Sequence, residues 1–555
     1  MLLTDRQTGY PSVDKPWLKW YSGKKINNDF VNSTVWKNVY ECNIKFANEI
    51  ALIFQNKKIL YKNLFAEVEK IADALVSNEI KKGDRIIVCA TGTPETVYLL
   101  LACSKVGVCA EMINLSLGKE AIEAALYESP AKYVFCLDKI YLKLHGLLKE
   151  SGKKIVVIPA TYSLSVLVQF IVKITSKERC DLTDIFEWKH FLEKQDKKCI
   201  ENVDSDSELV IVFSSGSTGK PKAIVHTNHS YTAISEQYRI CEYPFKRKDV
   251  FLNQIPFFIA SGLSFMLMAP LMLGITIVLE PVYTPKKWVE DICKYKPKVI
   301  CATKSFWDTA IYEKLFKGKN LSFLNIAVQG GEPNTVQMEN DINEILINCG
   351  CKEKIVVGYG MSELNGTLTT SSFKYHKAGS TGIPLPDVVI STFDTETGKE
   401  NKLNERGEIM AMSPCVMKKY ANNEELTEKF KWVDPEGRIW YRTGDIGYVD
   451  ENGEIYVLGR TDDVIEVSGK KIYLFDIEKE VLDKFKVSAC MVVANKADMI
   501  FVNIVSEINE NIIAREVNNR VIKILPDEAR FKVRVWKEFP MNANGKCDRE
   551  ALKRE

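Results

Sequence analysis

The first half of the chain alternates short apolar runs with longer segments of helical periodicity. The apolar runs include RIIVCA, KYVFCL and KIVVIP, and the helical pattern is clearest in PETVYLLLACSKVG. Strands that alternate with helices in this order predict a parallel sheet with helices on both faces. The chain has 555 residues, and single domains seldom exceed about 250–300 residues. The sequence therefore predicts an α/β protein with several lobes.

The pattern changes in the C-terminal part of the chain. Past about Ser380, short strands and turns such as GEIMAMS and RIWYRTGD predict a small β-rich subdomain. After Gly459 a further unit begins with two short strands and a helix that opens at Asp476. The residues expected on one face of this helix are Ile477, Val481, Leu482 and Phe485. We therefore expect a large N-terminal domain of α/β subdomains plus the β-rich subdomain, followed from about Asp463 by a separate small α+β domain.

Two apolar stretches raise the question of a membrane. The segment 255–279 carries no charge and is longer than the roughly 20 residues that a span requires. Two prolines and two glycines interrupt it and no Lys/Arg cluster flanks it, so we expect a buried helix followed by a buried strand. The stretch 162–174 could dock on a membrane or a partner, but a surface helix that packs on its own lobe is commoner. Membrane association is therefore not expected.

The charge balance favours a small-molecule substrate. The 75 basic and 73 acidic residues leave a net charge of +2, which gives no electrostatic case for nucleic acid or an anionic membrane. The start of the chain lacks the basic and then apolar order of a signal peptide, which predicts a cytoplasmic protein. The cysteines show no CxxC pair and are expected to be reduced thiols.

One motif predicts a phosphate-binding loop. The stretch SSGSTGKPK, Ser214–Lys222, follows the apolar run LVIVF. Glycines let the backbone approach a ligand closely, and N–H groups with hydroxyls can then surround a phosphate. The stretch is not a Walker A loop, because its glycines are too close together and Pro221 follows the lysine. A plain flexible turn remains the alternative.

Three further motifs carry groups that suit a nucleotide. In GYGMSE, the ring of Tyr359 can stack on a purine, and Glu363 can hold Mg²⁺, which prefers hard oxygen ligands. In YRTGD and LGRTDD, the carboxylate of Asp445 can accept from ribose hydroxyls and Arg460 can donate to the same sugar. Taken singly, a core tyrosine, a surface glutamate and a turn aspartate explain these residues equally well.

In this order, SSGSTGKPK, GYGMSE, YRTGD and GRTDD, followed by NGK near the end, resemble the motifs of the adenylate-forming (ANL) superfamily. This superfamily includes acyl-CoA synthetases, peptide-synthetase adenylation domains and beetle luciferases. The resemblance extends from Gly83 to Lys546. It implies a reaction in which a carboxylate is joined to ATP with release of pyrophosphate, and in which the acyl group of the adenylate then passes in most members to a thiol.

The resemblance also implies roles for individual residues. Lys546 would support the adenylation transition state, and removing such a charge commonly costs about 10²–10³ in rate. Asp462 would be the hinge between a large N-terminal domain of two α/β subdomains plus the β-rich subdomain, 1–461, and a small mobile α+β C-terminal domain, 462–555, which rotates between the two half-reactions. The loop around the β- and γ-phosphates would contain Ser214, Ser215, Gly216, Ser217, Thr218, Gly219, Lys220 and Lys222, with Thr218 and Lys222 touching oxygens. The other nucleotide-binding residues would be Gly331, Glu332, Pro333 and Tyr359 at adenine, Gly360, Met361 and Ser362 towards the α-phosphate, and Asp445 and Arg460 at ribose.

Glu363 would be the Mg²⁺ ligand, and Gly469 with Lys471 would guide the thiol. The acyl pocket implied by the resemblance comprises Phe258, Ile259, Ser261, Gly262, Gly330, Gly358 and Gly366. Many relatives have histidine at the position of Ile259. Members that activate amino acids have an aspartate near here, and since this sequence has no carboxylate between Asn253 and Leu279, an α-amino acid is disfavoured. An apolar wall suits a fatty or aryl acid, although such pockets separate chain lengths by only about 1–3 kcal/mol per methylene.

The leading hypothesis is an AMP-forming acid–thiol ligase that uses ATP and Mg²⁺ to make acyl-CoA. One alternative is a stand-alone adenylation enzyme that loads the phosphopantetheine of a carrier protein. A nucleotide-binding pseudoenzyme is the remaining alternative.

Overall fold

The computed structural model describes residues 8–164, 186–214, 221–241, 243–495, 499–540 and 547–554. The strands are β1 (Ile50–Phe54), β2 (Lys57–Leu60), β3 (Arg85–Cys89), β4 (Cys109–Met112), β5 (Tyr133–Leu137), β6 (Lys154–Ile158), β7 (Phe186–Glu187), β8 (Glu208–Ser214), β9 (Lys222–Thr227), β10 (Val250–Asn253), β11 (Thr276–Leu279), β12 (Val299–Ala302), β13 (Ile326–Gly330), β14 (Ile355–Tyr359), β15 (Thr369–Thr370), β16 (Ile383–Pro384), β17 (Val389–Phe393), β18 (Gly407–Met412), β19 (Lys419–Tyr420), β20 (Lys431–Val433), β21 (Ile439–Val449), β22 (Ile455–Arg460), β23 (Val464–Val467), β24 (Lys470–Tyr473), β25 (Ala489–Ala494), β26 (Ile500–Val505) and β27 (Phe531–Trp536). The α-helices are Pro11–Asp14, Asn28–Val31, Val35–Asn43, Tyr61–Ser77, Pro94–Val106, Lys119–Glu128, Asp138–Glu150, Trp188–Glu193, Asn228–Ile240, Ala260–Leu263, Ala269–Met272, Pro285–Tyr295, Lys304–Tyr312, Val336–Asn348, Glu424–Phe430, Leu474–Lys484, Glu510–Val521 and Arg549–Leu552. The 3₁₀-helical turns are Pro16–Trp20, Ile44–Phe46, Ser362–Leu364 and Thr461–Asp463, and Ser264–Met268 is a π-helical turn.

The first large sheet confirms the parallel architecture that the alternating pattern predicts. Its strand order is β19-β9-β8-β4-β3-β5-β6-β7, and the strands from β8 to β7 pair in parallel. The helix Pro94–Val106 is buried along its whole length. Thr93 accepts from the N–H of Thr96 at its start, and Gly107 ends it with a φ of 82°, which are the residue types that these positions favour.

The second large sheet has the order β16-β15-β14-β13-β12-β10-β11-β1-β2, and its strands from β1 to β14 pair in parallel. The segment 255–279 belongs to this lobe. It forms the helices Ala260–Leu263 and Ala269–Met272, joined by the π-helical turn Ser264–Met268, and then the buried strand β11. The predicted order of a buried helix and a buried strand is confirmed. Every helix within the described ranges is too short or too polar to cross a membrane.

A smaller antiparallel sheet follows the two large ones. Strands β17, β18, β21 and β20 lie in this order, and β22 pairs with β21. This sheet is the β-rich subdomain that the sequence predicts past about Ser380. Because β21 and β22 form a hairpin, Asp445 faces Arg460 across the two strands.

The C-terminal unit has a core of its own. Strands β25, β26 and β27 form a sheet, and buried residues of the helices Leu474–Lys484 and Glu510–Val521 pack on it. The first of these helices begins at Leu474, two residues before the predicted start. The prediction that Leu482 lies on the buried face is wrong, since Leu482 is 46% exposed while Ile477 and Val481 are buried. Positions 477 and 481 are one turn apart, whereas one further residue rotates the side chain by about 100° away from that face.

Two ion pairs join this unit to the β-rich subdomain. Arg406 Nη1 lies 2.6 Å from Asp476 Oδ2, and Lys471 Nζ lies 2.7 Å from Glu396 Oε1. Asp462, the predicted hinge, lies in the turn Thr461–Asp463 directly after β22. The division at 461/462 stays a prediction.

Candidate active site

The two ends of the predicted phosphate loop lie side by side. Ser214 ends β8, Lys222 begins β9, and the two residues pair across the antiparallel strands. Residues 215–220, which include Thr218, lie outside the described residues, as do Lys546 and most of the stretch 162–174.

The turn 330–333, which is predicted to contact adenine and is called the adenine turn below, and the loop 359–366, called the GYG loop, start from neighbouring strands. Strands β13 and β14 are parallel, and Gly330 pairs with Gly358 at their carboxyl ends. In open α/β sheets this edge is where ligands bind. A Cβ added to Gly330 would lie 3.2 Å from the carbonyl oxygen of Gly358. The turn 330–333 and the loop 359–366 are therefore adjacent, although Gly330 and Gly358 are 28 positions apart in the chain.

The GYG loop folds back on itself so tightly that only glycine fits at its first bend. A Cβ on Gly360 would lie 2.3 Å from the carbonyl oxygen of Gly366. Asn365 has a φ of 58°, in the left-handed region that asparagine tolerates. Its Nδ2 donates to Ser230 O at 2.9 Å, and Ser264 Oγ donates to Asn365 O at 2.8 Å. These bonds anchor the loop to two neighbouring helical segments.

The residues predicted for adenine and ribose are joined by hydrogen bonds. Tyr359 Oη donates to Asp445 Oδ2 at 2.5 Å, and Arg460 Nη1 donates to Asp445 Oδ1 at 2.8 Å. Burial and the adjacent carboxylate raise the pKa of Tyr359 well above its usual value, so the phenol keeps its proton. The second large sheet, through Tyr359, and the β-rich subdomain, through Asp445 and Arg460, thus contribute to a single polar cluster.

Glu363 is a buried carboxylate that fits the predicted Mg²⁺ ligand. Tyr420 Oη donates to Glu363 Oε1 at 2.8 Å, and Lys222 Nζ lies 5.7 Å from the centre of the Tyr420 ring. Glu363 is 6% exposed. In the part of the chain that the structure describes, no Lys, Arg or His forms an ion pair with it, and a buried charge without a cation is unfavourable. Mg²⁺ is commonly held by one or two carboxylates together with substrate phosphates, so this donor set suits it.

His226 supports the loop and was not among the residues predicted from the sequence. Its Nε2 lies 2.7 Å from the carbonyl oxygen of Ser362, to which the N–H donates. Burial lowers the pKa of His226 to about 4, so the ring is neutral near pH 7. His226 and Lys222 stand four residues apart in β9 and therefore face the same side of the strand, a spacing that the sequence does contain.

We expect this burial to make the fold sensitive to acid. The folded pKa of His226 lies below the ordinary 6.5, so its contribution to stability is complete above pH 6.5 and is lost as the pH falls towards 4. The free energy of unfolding should drop by about 2 kcal/mol from this source between neutral pH and pH 5. Urea unfolding at both pH values should show that His226→Gln removes this part of the drop. The exposed His190, changed to Gln, should leave the drop as in the wild type, and an equal drop in all three proteins would contradict the expectation.

The predicted acyl pocket is brought together only in part. Ile259 is 40% exposed although most of the segment around it is buried. Ser261 and Gly366 are in contact, since a Cβ on Gly366 would lie 3.1 Å from Ser261 N. A cavity of about 210 Å³ lies at the carboxyl ends of both large sheets, and of the predicted pocket residues only Phe258 lines it. The other lining residues are Thr91, Gly92, Leu115, Ser116, Asn253, Gln254, Ile255, Pro256, Glu280 and Pro281.

Two side chains predicted to contact ligands, those of Glu332 and Lys471, bond to other residues of the protein. The carboxylate of Glu332 accepts from Ser305 N at 2.8 Å and from Ser305 Oγ at 3.0 Å, so it caps the helix Lys304–Tyr312. The Glu396 carboxylate raises the pKa of Lys471 by pairing with its ammonium group. Gly469 lies at the turn of the β23–β24 hairpin with a φ of 74°.

The model of the AMP-binding enzyme family matches residues 41–421 of this chain. The chain belongs to the AMP-binding enzyme family. Among curated proteins, this AMP-binding enzyme is 25% identical over 482 residues to the long-chain-fatty-acid–CoA ligase of Bacillus subtilis (strain 168), with 84% of each chain covered. It is 29% identical over 516 residues to the probable 4-coumarate–CoA ligase 1 of Dictyostelium discoideum, with 88% of each chain covered.

Solved structures show the same fold. The anthranilate CoA ligase AuaEII in complex with anthranoyl-AMP matches with a TM-score of 0.77 at 20% identity, covering 94% of this chain and 97% of that one. ATP-bound MatB from Rhodopseudomonas palustris matches with the same TM-score and identity, covering 94% and 98%. The fold class predicted from the sequence is confirmed.

Proposed function

We propose that this AMP-binding enzyme activates a carboxylic acid with ATP and transfers the acyl group to the thiol of CoA. The observation that carries the proposal is the polar cluster of Tyr359, Asp445 and Arg460, in which Tyr359 stands four residues before the buried carboxylate of Glu363. Groups that suit a purine, a ribose and a phosphate-bound metal therefore meet at one sheet edge. Two relatives of the chain are named as CoA ligases, which supports CoA as the acceptor.

In the first half-reaction, a carboxylate oxygen forms a bond to the α-phosphorus of ATP. The bond from that phosphorus to the oxygen that bridges to the β-phosphate breaks, and pyrophosphate leaves with the electron pair. Asp445 and Arg460 would hold the ribose, while Lys222 and Lys546 would supply positive charge where negative charge develops. When bound at Glu363, Mg²⁺ neutralises phosphate charge.

In the second half-reaction, the thiolate of CoA attacks the acyl carbon. The bond between that carbon and the phosphate oxygen breaks, and AMP leaves. We infer that the unit 462–555 moves about Asp462 between the two steps. The unit has a core of its own, so it can move as one body, and the two ion pairs that join it to the β-rich subdomain would break when it rotates. Gly469 and Lys471 would then line the path of the thiol.

A fatty or aryl acid is the proposed substrate class. The exposed Ile259 presents an apolar side chain at the predicted acyl wall, and the segment 255–279 contains no carboxylate to pair with an α-ammonium group. The relatives named above include ligases of a long-chain fatty acid and of 4-coumarate. A carrier protein as acceptor has no observation in its favour, and a cytoplasmic location stays a prediction.

Pyrophosphate release tests the proposal directly. The purified protein would be incubated with ATP, Mg²⁺ and a panel of fatty, aryl and amino acids, first without CoA and then with it. Release with one acid class, followed by acyl-CoA detected by mass spectrometry, is the expected result, and Lys546→Ala should slow the release. Release without acyl-CoA, but with loading of a holo-carrier protein, would contradict CoA as the acceptor. No release with any acid would contradict the activity.

A further inference from the structure

A largely buried histidine lies between two buried carboxylates beside the nucleotide site. The Nε2 of His376 lies 2.9 Å from Glu339 Oε2, and its Nδ1 lies 3.4 Å from Glu454 Oε1. The side chain of His376 is 17% exposed, whereas those of Glu339 and Glu454 are 2% and 0% exposed. Ser380 Oγ, which itself donates to Glu454 Oε2, also lies 3.4 Å from Nδ1. Since a neutral imidazole has only one N–H, only the charged ring can donate through Nε2 to Glu339 and through Nδ1 towards Ser380 Oγ and Glu454.

The loop that begins with His376 holds the same two carboxylates with further donors. Gly379 N donates to Glu339 Oε1 at 2.7 Å, and Lys377 N donates to Glu454 Oε2 at 2.9 Å. Ser380 Oγ also donates to Glu454 Oε2. Both carboxylates thus accept from donors of this loop around the ring, and negative charge buried there is favourable only with a cation between them.

One carboxylate is connected to the adenine turn. Asn334 follows the turn Gly330–Pro333 directly, and its Nδ2 donates to Glu339 Oε1 at 2.6 Å and to Ser380 O at 2.8 Å. Glu339 lies in the first turn of the helix Val336–Asn348, which follows the same segment. The position of the adenine turn therefore depends on where Glu339 is held.

The other carboxylate belongs to the hairpin that carries the ribose residues. Glu454 lies between β21 and β22, the strands that place Asp445 opposite Arg460. Next to it, Thr381 N donates to Ile455 O at 2.8 Å, so the His376 loop also runs along this hairpin.

We propose that His376 is a positioning residue for nucleotide binding, whose charged ring bridges Glu339 and Glu454 and so holds the adenine turn against the ribose hairpin. The inference rests on the nucleotide site of the proposed function. When the ring loses its proton, two buried carboxylates face each other without a cation, and the bridge opens.

The bridge has a defined pH range. Burial alone would lower the pKa of His376, but the hydrogen bonds and charges of Glu339 and Glu454 outweigh it and raise the pKa to about 9. Because this value lies above the ordinary 6.5, the stabilisation is complete below pH 6.5 and is lost as the pH rises through 9. The titratable and charged groups of the elements packed around the ring are Glu339, Glu454, Asp450, Lys377, Tyr375 and Tyr456. Both tyrosines have pKa values raised by burial, so they titrate above this range.

Direct binding of MgATP, measured by calorimetry, tests the inference without any acid substrate. The wild type should bind with a nearly constant Kd up to about pH 7.5, and its Kd should rise by about four-fold on going to about pH 9.5, because about a quarter of the protein then still carries the charged ring. His376→Gln should bind weakly at every pH, with little further change. His376→Lys keeps a cation between the carboxylates and should bind tightly across the whole range. The exposed His190, changed to Gln, should behave as the wild type.

Two results would overturn the inference. The first is a Kd of His376→Gln at about pH 7.5 that equals the wild-type value, whether or not its Tm is lower. The second is an alkaline rise in Kd that His376→Lys shares with the wild type. If His376→Gln does not fold, Glu454→Gln takes its place in the experiment. With only one carboxylate beside it, the ring of His376 holds its proton less strongly, so the rise in Kd should move to lower pH. An unmoved rise would then overturn the bridge. If the wild type binds no MgATP, the proposed nucleotide site itself is wrong. If the wild type binds MgATP and the substitutions at His376 leave the Kd unchanged, only the role of His376 is wrong.

Discussion

Glu363→Gln is expected to lower the rate of ATP-dependent pyrophosphate release by about 10²–10³-fold, because it would remove the charge that we propose holds Mg²⁺ at the phosphates. Glutamine has nearly the same shape and can still accept from Tyr420, so the packing around position 363 should change little. The apparent affinity for Mg²⁺ should fall in parallel. Both quantities follow from initial rates at increasing concentrations of Mg²⁺ with ATP held constant.

Tyr420→Phe is the matched control for Glu363→Gln. It removes the hydrogen bond to Glu363 Oε1 but keeps the carboxylate, so its effect on the rate should be about ten-fold. If Glu363 served only to bond Tyr420, Glu363→Gln, which keeps an acceptor for that bond, would be impaired no more than Tyr420→Phe, and the dependence on Mg²⁺ would be unchanged in both variants. That result, or a Glu363→Gln protein that keeps more than about a third of the wild-type rate, would exclude Glu363 as a metal ligand.

Gly360→Ala is expected to destabilise the protein by about 1–3 kcal/mol and to weaken MgATP binding at least ten-fold. The added Cβ would lie 2.3 Å from the carbonyl oxygen of Gly366 and 2.7 Å from Thr367 Cα. These are backbone atoms, so no side-chain rotation relieves the overlap and the loop 359–366 must shift. Thermal unfolding gives the first quantity, and calorimetry with MgATP gives the second.

Gly358→Ala, two residues earlier in the chain, is the control for this prediction. Its Cβ would meet Thr369 O at 3.4 Å, an ordinary van der Waals contact. Neither Gly358 nor Gly360 has a positive φ, so backbone strain does not distinguish them. Equal losses in the two variants would show that the close approach of Gly360 to Gly366 is not what shapes the site.

Local patterns in the sequence predicted the elements and the order of the lobes. Runs such as RIIVCA became parallel strands because a run of apolar residues between helices can be buried on both faces only inside such a sheet. The helix Leu474–Lys484 shows where this reasoning ends. Leu482 is apolar but exposed, because which apolar residues a helix buries depends on the surface on which it packs.

The sequence also predicted which residues would form the site, but not how they contact each other. Asp445 and Arg460 were predicted as ribose ligands, and the hairpin places them opposite each other. The hydrogen bond of Asp445 to Tyr359 joins residues 86 positions apart. The carboxylate of Glu332, a predicted nucleotide contact, caps a helix through Ser305, a bond that the sequence did not predict.

By itself, the sequence determined the α/β class, the change to a β-rich subdomain and the motif residues, because periodicity, turn chemistry and side-chain type are local properties. Only the tertiary structure decided that Tyr420 holds Glu363, that His226 supports Ser362, and that two glutamates from distant segments enclose His376. The register and order of the strands produce these contacts. They depend on the packing of whole sheets, and no short window of sequence contains both partners.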